Sequence, residues 1–144
     1  MRLKLGLFGE ESEDEMLIDG LLDIMVKHKL DYHLTFIDLT LNVDQLEHRP
    51  EFSDWLTKYR LRRSVRKTTL DDSVLLMKSV NPAMIPRNHR VEEALSHAVE
   101  HNDLSKFNEL LAMLQEPFKY STQQLQSNQP APASSFQFKT YCGT

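Results

Sequence analysis

The sequence predicts an all-α fold: about six short helices packed as an irregular bundle, followed by an extended C-terminal tail. Three observations carry that expectation. The 144 residues include only 4 glycines and 6 prolines, and Pro117, Pro130 and Pro132 lie near or in the tail. Apolar residues recur at helical spacing through most of the first 120 positions. After Tyr120 the composition turns abruptly to Ser, Gln, Asn, Pro and Ala through Ser135, which reads as a linker.

The first helix is expected over 13–29. Leu17, Leu21 and Ile24 form one apolar stripe, with Ile18, Leu22 and Met25 beside it, a face wide enough to be buried on more than one side. Glu13, Asp14 and Glu15 open it and Lys27, His28 and Lys29 close it, matching the helix dipole at both ends. Ser12 is the expected N-cap. Asp31 caps a second, shorter helix over Tyr32 to Leu39. Pro50 suits a first helical position, so a third helix starts there and carries Phe52, Trp55, Leu56 and Tyr59.

Asp71 or Asp72 begins a fourth helix, and Asn81-Pro82 stops it near Val80, since the residue before proline disfavours helical geometry. Met84-Ile85-Pro86 is then a non-helical connector. A fifth helix covers Asn88 to His101, with Val91, Ala94, Leu95, Ala98 and Val99 on one side. Asp103 caps a sixth, whose Leu104, Phe107, Leu110, Leu111 and Leu114 precede Pro117. Residues 1–120 thus read as one helical domain and 121–144 as a flexible linker and tail, in which Phe136 and Phe138 alternate with polar residues as a short extended segment.

Composition narrows the function classes. Hydrophobic residues make up 40% and charged residues 26%, a soluble balance, and no apolar run approaches the ~20 residues that cross a bilayer. The N-terminus turns acidic at Glu10, too soon for a signal peptide. A single cysteine excludes a disulfide scaffold and fits a reducing compartment, so a cytoplasmic location is expected. The net charge of −4 argues against a general nucleic-acid binder.

Three clusters are candidates for chemistry. Lys58, Arg60, Arg62, Arg63, Arg66 and Lys67 place six positive charges in ten residues. They read as a solvated helix end or a face for an acidic neighbour, with phosphate or RNA backbone as the alternative. His97 and His101 have the i, i+4 spacing of a two-histidine metal site, beside Glu93 and Glu100. No further ligands accompany them, so no metal residue is assigned. Cys142, third from the end, sits where a thiol has no packing reason to be kept; it reads either as an incidental surface cysteine or as a thiol for a metal, a redox partner or a second cysteine outside this chain. No glycine-rich phosphate loop, Gly-x-Ser-x-Gly elbow or His-Glu-x-x-His occurs, and no nucleophile, base and oxyanion site assemble in the sequence.

Several stretches, taken in order, carry a resemblance. They are Lys4-Leu5-Gly6-Leu7, Asp31-Tyr32-His33-Leu34-Thr35-Phe36 and Trp55-Leu56-Thr57-Lys58-Tyr59-Arg60, then Ser79-Val80-Asn81-Pro82-Ala83-Met84-Ile85-Pro86-Arg87-Asn88-His89, Glu116-Pro117-Phe118 and the Cys-Gly-Thr end. Together they resemble the C-terminal third of the selenoprotein O family, also called YdiU proteins. The resemblance spans nearly the whole chain and weakens over 60–70 and 121–135.

The resemblance implies a protein adenylyltransferase with a kinase-like fold that moves AMP from ATP to Ser, Thr or Tyr hydroxyls of proteins. In that family the nucleotide loop, lysine, metal-binding residues and catalytic aspartate lie in the N-terminal two-thirds. No catalytic, cofactor-binding or metal residue therefore carries over to this chain, and ATP with Mg2+ or Mn2+ belongs to the full-length enzyme. The implied partners are the kinase-like N-terminal domain and, for the whole enzyme, its protein substrates. The chain is then expected to be a fragment or separately made region that lacks activity alone and self-associates through an uncovered apolar patch. Cys142 matches the family's terminal selenocysteine or cysteine, which is associated with redox control through pairing with a cysteine of the catalytic part. Gly143-Thr144 stand in place of the paired serines of some relatives. The alternative reading is a free-standing helical protein-interaction module without enzymatic activity.

Overall fold

The computed structural model describes residues 1–66 and 68–131. It is all-α as expected, with no strand among the described residues. Among the described residues eight α-helices form rather than about six: α1 (Asp14–Lys27), α2 (Tyr32–Leu41), α3 (Val43–Glu47), α4 (Ser53–Ser64), α5 (Leu70–Val80), α6 (Asn88–His101), α7 (Ser105–Gln115) and α8 (Thr122–Ser127). Short 3-10 turns occur at Arg2–Leu5 and Pro50–Phe52. The chain divides into two compact units, Met1–Asn81 and Pro82–Thr144. The division falls inside the span expected to be one domain, at the Asn81-Pro82 step where α5 is forced to stop.

The first unit is built around its own N-terminal segment. Leu5 and Leu7 are fully buried among Leu17, Leu21, Phe36, Trp55 and Tyr59. A segment without regular helix can sit at a core only if its backbone polar groups find partners, and here they do. Tyr59 donates its phenol to the Leu5 carbonyl at 2.8 Å. Asn81 donates its amide to the Lys4 carbonyl at 2.9 Å and to Thr40 Oγ1 at 3.3 Å, while Lys4 Nζ returns a bond to Asn81 Oδ1 at 3.2 Å. Gly6 ends the 3-10 turn at φ 65°, and a Cβ there would lie 2.8 Å from the Ser73 carbonyl oxygen. Both the left-handed backbone and the close approach to α5 require glycine at this position.

Helix boundaries follow local chemistry, with differences in detail from the sequence expectation. Asp31 caps α2, accepting from the Leu34 amide at 2.9 Å. Ser12 does not cap α1; the Asp14 carboxylate turns back to accept from the Glu11 amide at 3.0 Å. Thr69 rather than Asp71 or Asp72 caps α5, in a reciprocal capping box with Asp72. Pro50 opens a separate 3-10 turn, and α4 begins at Ser53.

The second unit holds the α6–α7 hairpin, which turns at Asn102 in the left-handed region, φ 51°. Its interior is unusually polar. Gln124 and Asn128 are almost fully buried alongside Ala83, Met84 and Ala94. Gln124 Nε2 donates to the carbonyls of Met113 at 3.0 Å and Glu116 at 2.7 Å, satisfying the orphan acceptors at the end of α7. Asn128 Nδ2 donates to the Ala83 carbonyl at 3.1 Å. These bonds fix α8 within the stretch whose composition suggests a linker, and Ser121 starts it with a capping box to Gln124.

Replacing Asn81 by Ala would leave the partly buried Lys4 carbonyl without this donor. We expect a loss of about 1–3 kcal/mol in urea unfolding of the chain; a change below ~0.5 kcal/mol would show that this bridge does not hold the segment.

Candidate functional site

The basic run on α4 is the first place to look for an anion site, and the structure disperses it. Arg62 is buried and makes a two-pronged bond with Asp14, Nη2 lying 3.2 Å from Oδ2, and it also donates to the Phe8 carbonyl at 3.2 Å. Arg60 pairs with Glu47, and Arg66 pairs with Glu11 at 2.9 Å. Arg63 lies over the Tyr59 ring, 5.6 Å from its centroid. Lys58 points to a groove described below, and Lys67 lies outside the described residues. The four arginines are directed to separate partners within the chain instead of converging on one point.

The Asp14–Arg62 pair has an electrostatic consequence. The guanidinium's hydrogen bond holds the Asp14 carboxyl below its ordinary range against the opposing effect of burial, and the Glu11 amide adds to the shift. Two buried charges in fork geometry compensate one another, while either alone would be strongly unfavourable.

His97 and His101 meet edge to face, with ring centroids 4.8 Å apart. His97 Nδ1 lies 3.2 Å from the Asp103 carbonyl oxygen and 3.7 Å from its carboxylate. Among the described residues no group of three or more His, Cys, Asp or Glu side chains could hold a metal ion. Asp103 is engaged with Ser105, accepting from its amide at 2.8 Å and its hydroxyl at 2.9 Å, which keeps its carboxyl ionised to lower pH than usual. Cys142, with its neighbour Lys139, lies outside the described residues.

One feature with the dimensions of a binding surface is a groove between α1 and α4, of about 830 Å³. The two helices run antiparallel, since Asp14 meets Arg62 and Leu17 accepts from the Trp55 indole at 2.8 Å. Its apolar lining includes Met16, Gly20, Ile24, Trp55, Leu61 and Val65. Met16 and Leu61 are about 70% exposed (70% and 68%), far more than a side chain kept for internal packing. Glu13 stands at one end of the groove, Glu51 and Asp54 at the other, with Lys58 between them. Gly20 is the signal that could have found this surface in the sequence: a glycine inside the apolar stripe of an otherwise strong helix.

The described residues thus form an all-α protein with an open interhelical groove. Comparison of sequences supplies the family. The family model described as "Protein adenylyltransferase SelO" matches residues 1–115. The chain belongs to this family. It is 45% identical over its whole length to a protein nucleotidyltransferase YdiU of Lachnoclostridium phytofermentans. It is 47% identical to the protein of that name in Halalkalibacterium halodurans and 43% identical to that of Bacillus mycoides. In each case this chain spans about 30% of the relative's length.

The buried pair predicts an acid-sensitive fold. The folded-state pKa of Asp14 is depressed, so its stabilisation is complete above the unfolded value of about 3.9 and fades as pH falls through the lower folded value. Asp14→Asn should lower stability at pH 7 by about 3–5 kcal/mol and flatten the loss as pH falls below about 4, as read by denaturant melts at each pH. A variant with unchanged stability and an unchanged acid limb would contradict the assignment.

Proposed function

We propose that this chain is the helical C-terminal portion of a protein adenylyltransferase and serves as a supporting part of it. The whole enzyme would transfer AMP from ATP to Ser, Thr or Tyr hydroxyls of proteins. The observation that carries this reading is a family match over residues 1–115 combined with coverage of only about 30% of the relatives' length. The nucleotide, with Mg2+ or Mn2+, would then be held by the kinase-like remainder, which is also the expected partner of this chain.

In this reading the chain's contribution is positional, presenting surface to the remainder of the enzyme; the bonding of Arg62, Arg60 and Arg66 to Asp14, Glu47 and Glu11 supports it by engaging those cations within the chain. Cys142 remains the candidate redox residue of this reading, through pairing with a cysteine in the catalytic part. A cytoplasmic location fits the single cysteine of this chain; no helix among the described residues is long and apolar enough to cross a membrane.

The test is an AMP-transfer assay with labelled ATP and Mg2+ on the purified chain, together with calorimetric titration of the nucleotide. We expect neither self-modification nor binding tighter than millimolar. Stoichiometric labelling of a hydroxyl on this chain alone would overturn the supporting role.

A further inference from the structure

The α6–α7 hairpin leaves its apolar side uncovered. Helix α7 buries no residue completely and α6 buries only Ala94, although amphipathic helices ordinarily bury a whole stripe. The side that meets α8 is polar: Gln123 Nε2 donates to Glu109 at 2.7 Å, and Lys106 Nζ to Glu93 at 2.7 Å. A third to half a turn away from Glu93 and Glu109 stand Leu95 and Val99 of α6 and Phe107 and Leu111 of α7. All four are exposed, Val99 by 85%. The compact unit that contains this hairpin runs to Thr144. Its last stretch, 132–144, lies outside the described residues and holds three further aromatic side chains, Phe136, Phe138 and Tyr141.

We propose that Phe136 and Phe138 seat on this side of the hairpin, so that the C-terminal segment covers its own unit. Place, spacing and tether select this occupant. Arg87, the residue before α6, donates from Nε to the Asn128 carbonyl at 3.3 Å, and Asn128 is itself held on the Ala83 carbonyl. The chain beyond α8 therefore leaves from beside the start of α6. Phe136 follows Asn128 by eight residues, a reach of up to about 26 Å, whereas Leu95 lies only about 12 Å along α6 from Arg87. The surplus is enough to pass around the end of the hairpin. In an extended chain Phe136 and Phe138 fall on one side, about 7 Å apart. That matches the ~6 Å rise separating Leu95 from Val99 and Phe107 from Leu111, and it turns Gln137 and Lys139 to water. A segment tethered this closely meets the face at an effective concentration of about millimolar, which a second copy or a free partner reaches only at comparable concentration. The inference is independent of the nucleotidyltransferase reading, because it concerns one unit of the chain and no step of AMP transfer.

Paramagnetic relaxation in the full chain tests it. A nitroxide on Cys142, the single thiol, sits four residues past Phe138, within about 14 Å of the seated pair. It should broaden the methyl resonances of Leu95, Val99 and Leu111 in the isotope-labelled chain, relative to the same label reduced. The double change Phe136→Ser with Phe138→Ser should cut that broadening roughly tenfold, and Val99→Glu should do the same from the other side of the contact. Leu75→Glu, at an exposed position on α5, should leave it unchanged. Circular dichroism serves as the folding check; the two serine changes fall outside every helix described. A second sample mixes an isotope-labelled Cys142→Ser chain with an unlabelled chain carrying the nitroxide, and no broadening is expected there. Broadening in that mixture would make a second copy the occupant. That result, methyls untouched by the nitroxide, broadening centred on the α1–α4 groove, or broadening that survives both the serine changes and Val99→Glu would each overturn the proposal.

Discussion

Two opposite charges buried together, Asp14 on α1 and Arg62 on α4, set the geometry on which the first unit depends. Neither could be left alone in the interior without a large desolvation penalty, so forming the pair fixes the two helices antiparallel and at a definite level. The same guanidinium reaches the Phe8 carbonyl, and the same carboxylate accepts from the Glu11 amide. The N-terminal segment is thereby held on the helices it covers. Tyr59, one helical turn from Arg62, and Asn81 extend the hold to Leu5 and Lys4. A stretch with little regular structure can then bury Leu5 and Leu7 as completely as any helix side chain.

This arrangement shapes what the surface offers. The arginines of α4 sit in one short run, yet helical geometry points them in different directions, and each finds a separate partner. A density of positive charge in the sequence thus becomes a set of structural ties. What remains open on the same pair of helices is apolar, the groove floored by Gly20 and flanked by Met16, Leu61 and Val65. The chain covers about 30% of the length of its nucleotidyltransferase relatives.

Features that depend on neighbours in the sequence were legible there. The charge-matched ends of α1, the Asp31 cap, the stop at Asn81-Pro82 and the span of α6 all follow from residues a turn or two apart, and the structure has them. Features that depend on distant residues were not. Asp14 and Arg62 are 48 positions apart, and no local pattern joins them; Glu13 to Glu15 looked like a simple dipole match. The α8 segment has the polar composition of a linker, and its helix depends on Gln124 and Asn128 burying their amides against carbonyls elsewhere in the second unit. Cys142, the most conspicuous residue of the sequence, lies outside the described residues, so its role rests on the family reading.

The N-terminal segment belongs to the core of the first unit and is locked there by α4 and Asn81, which native-state hydrogen exchange tests. The hydrogen-bonded amides of Gly6 and Leu7 should exchange as slowly as those in the middle of α4, through the same global opening. Exchange of these two amides at the rate of a frayed terminus, while α4 stays protected, would contradict it.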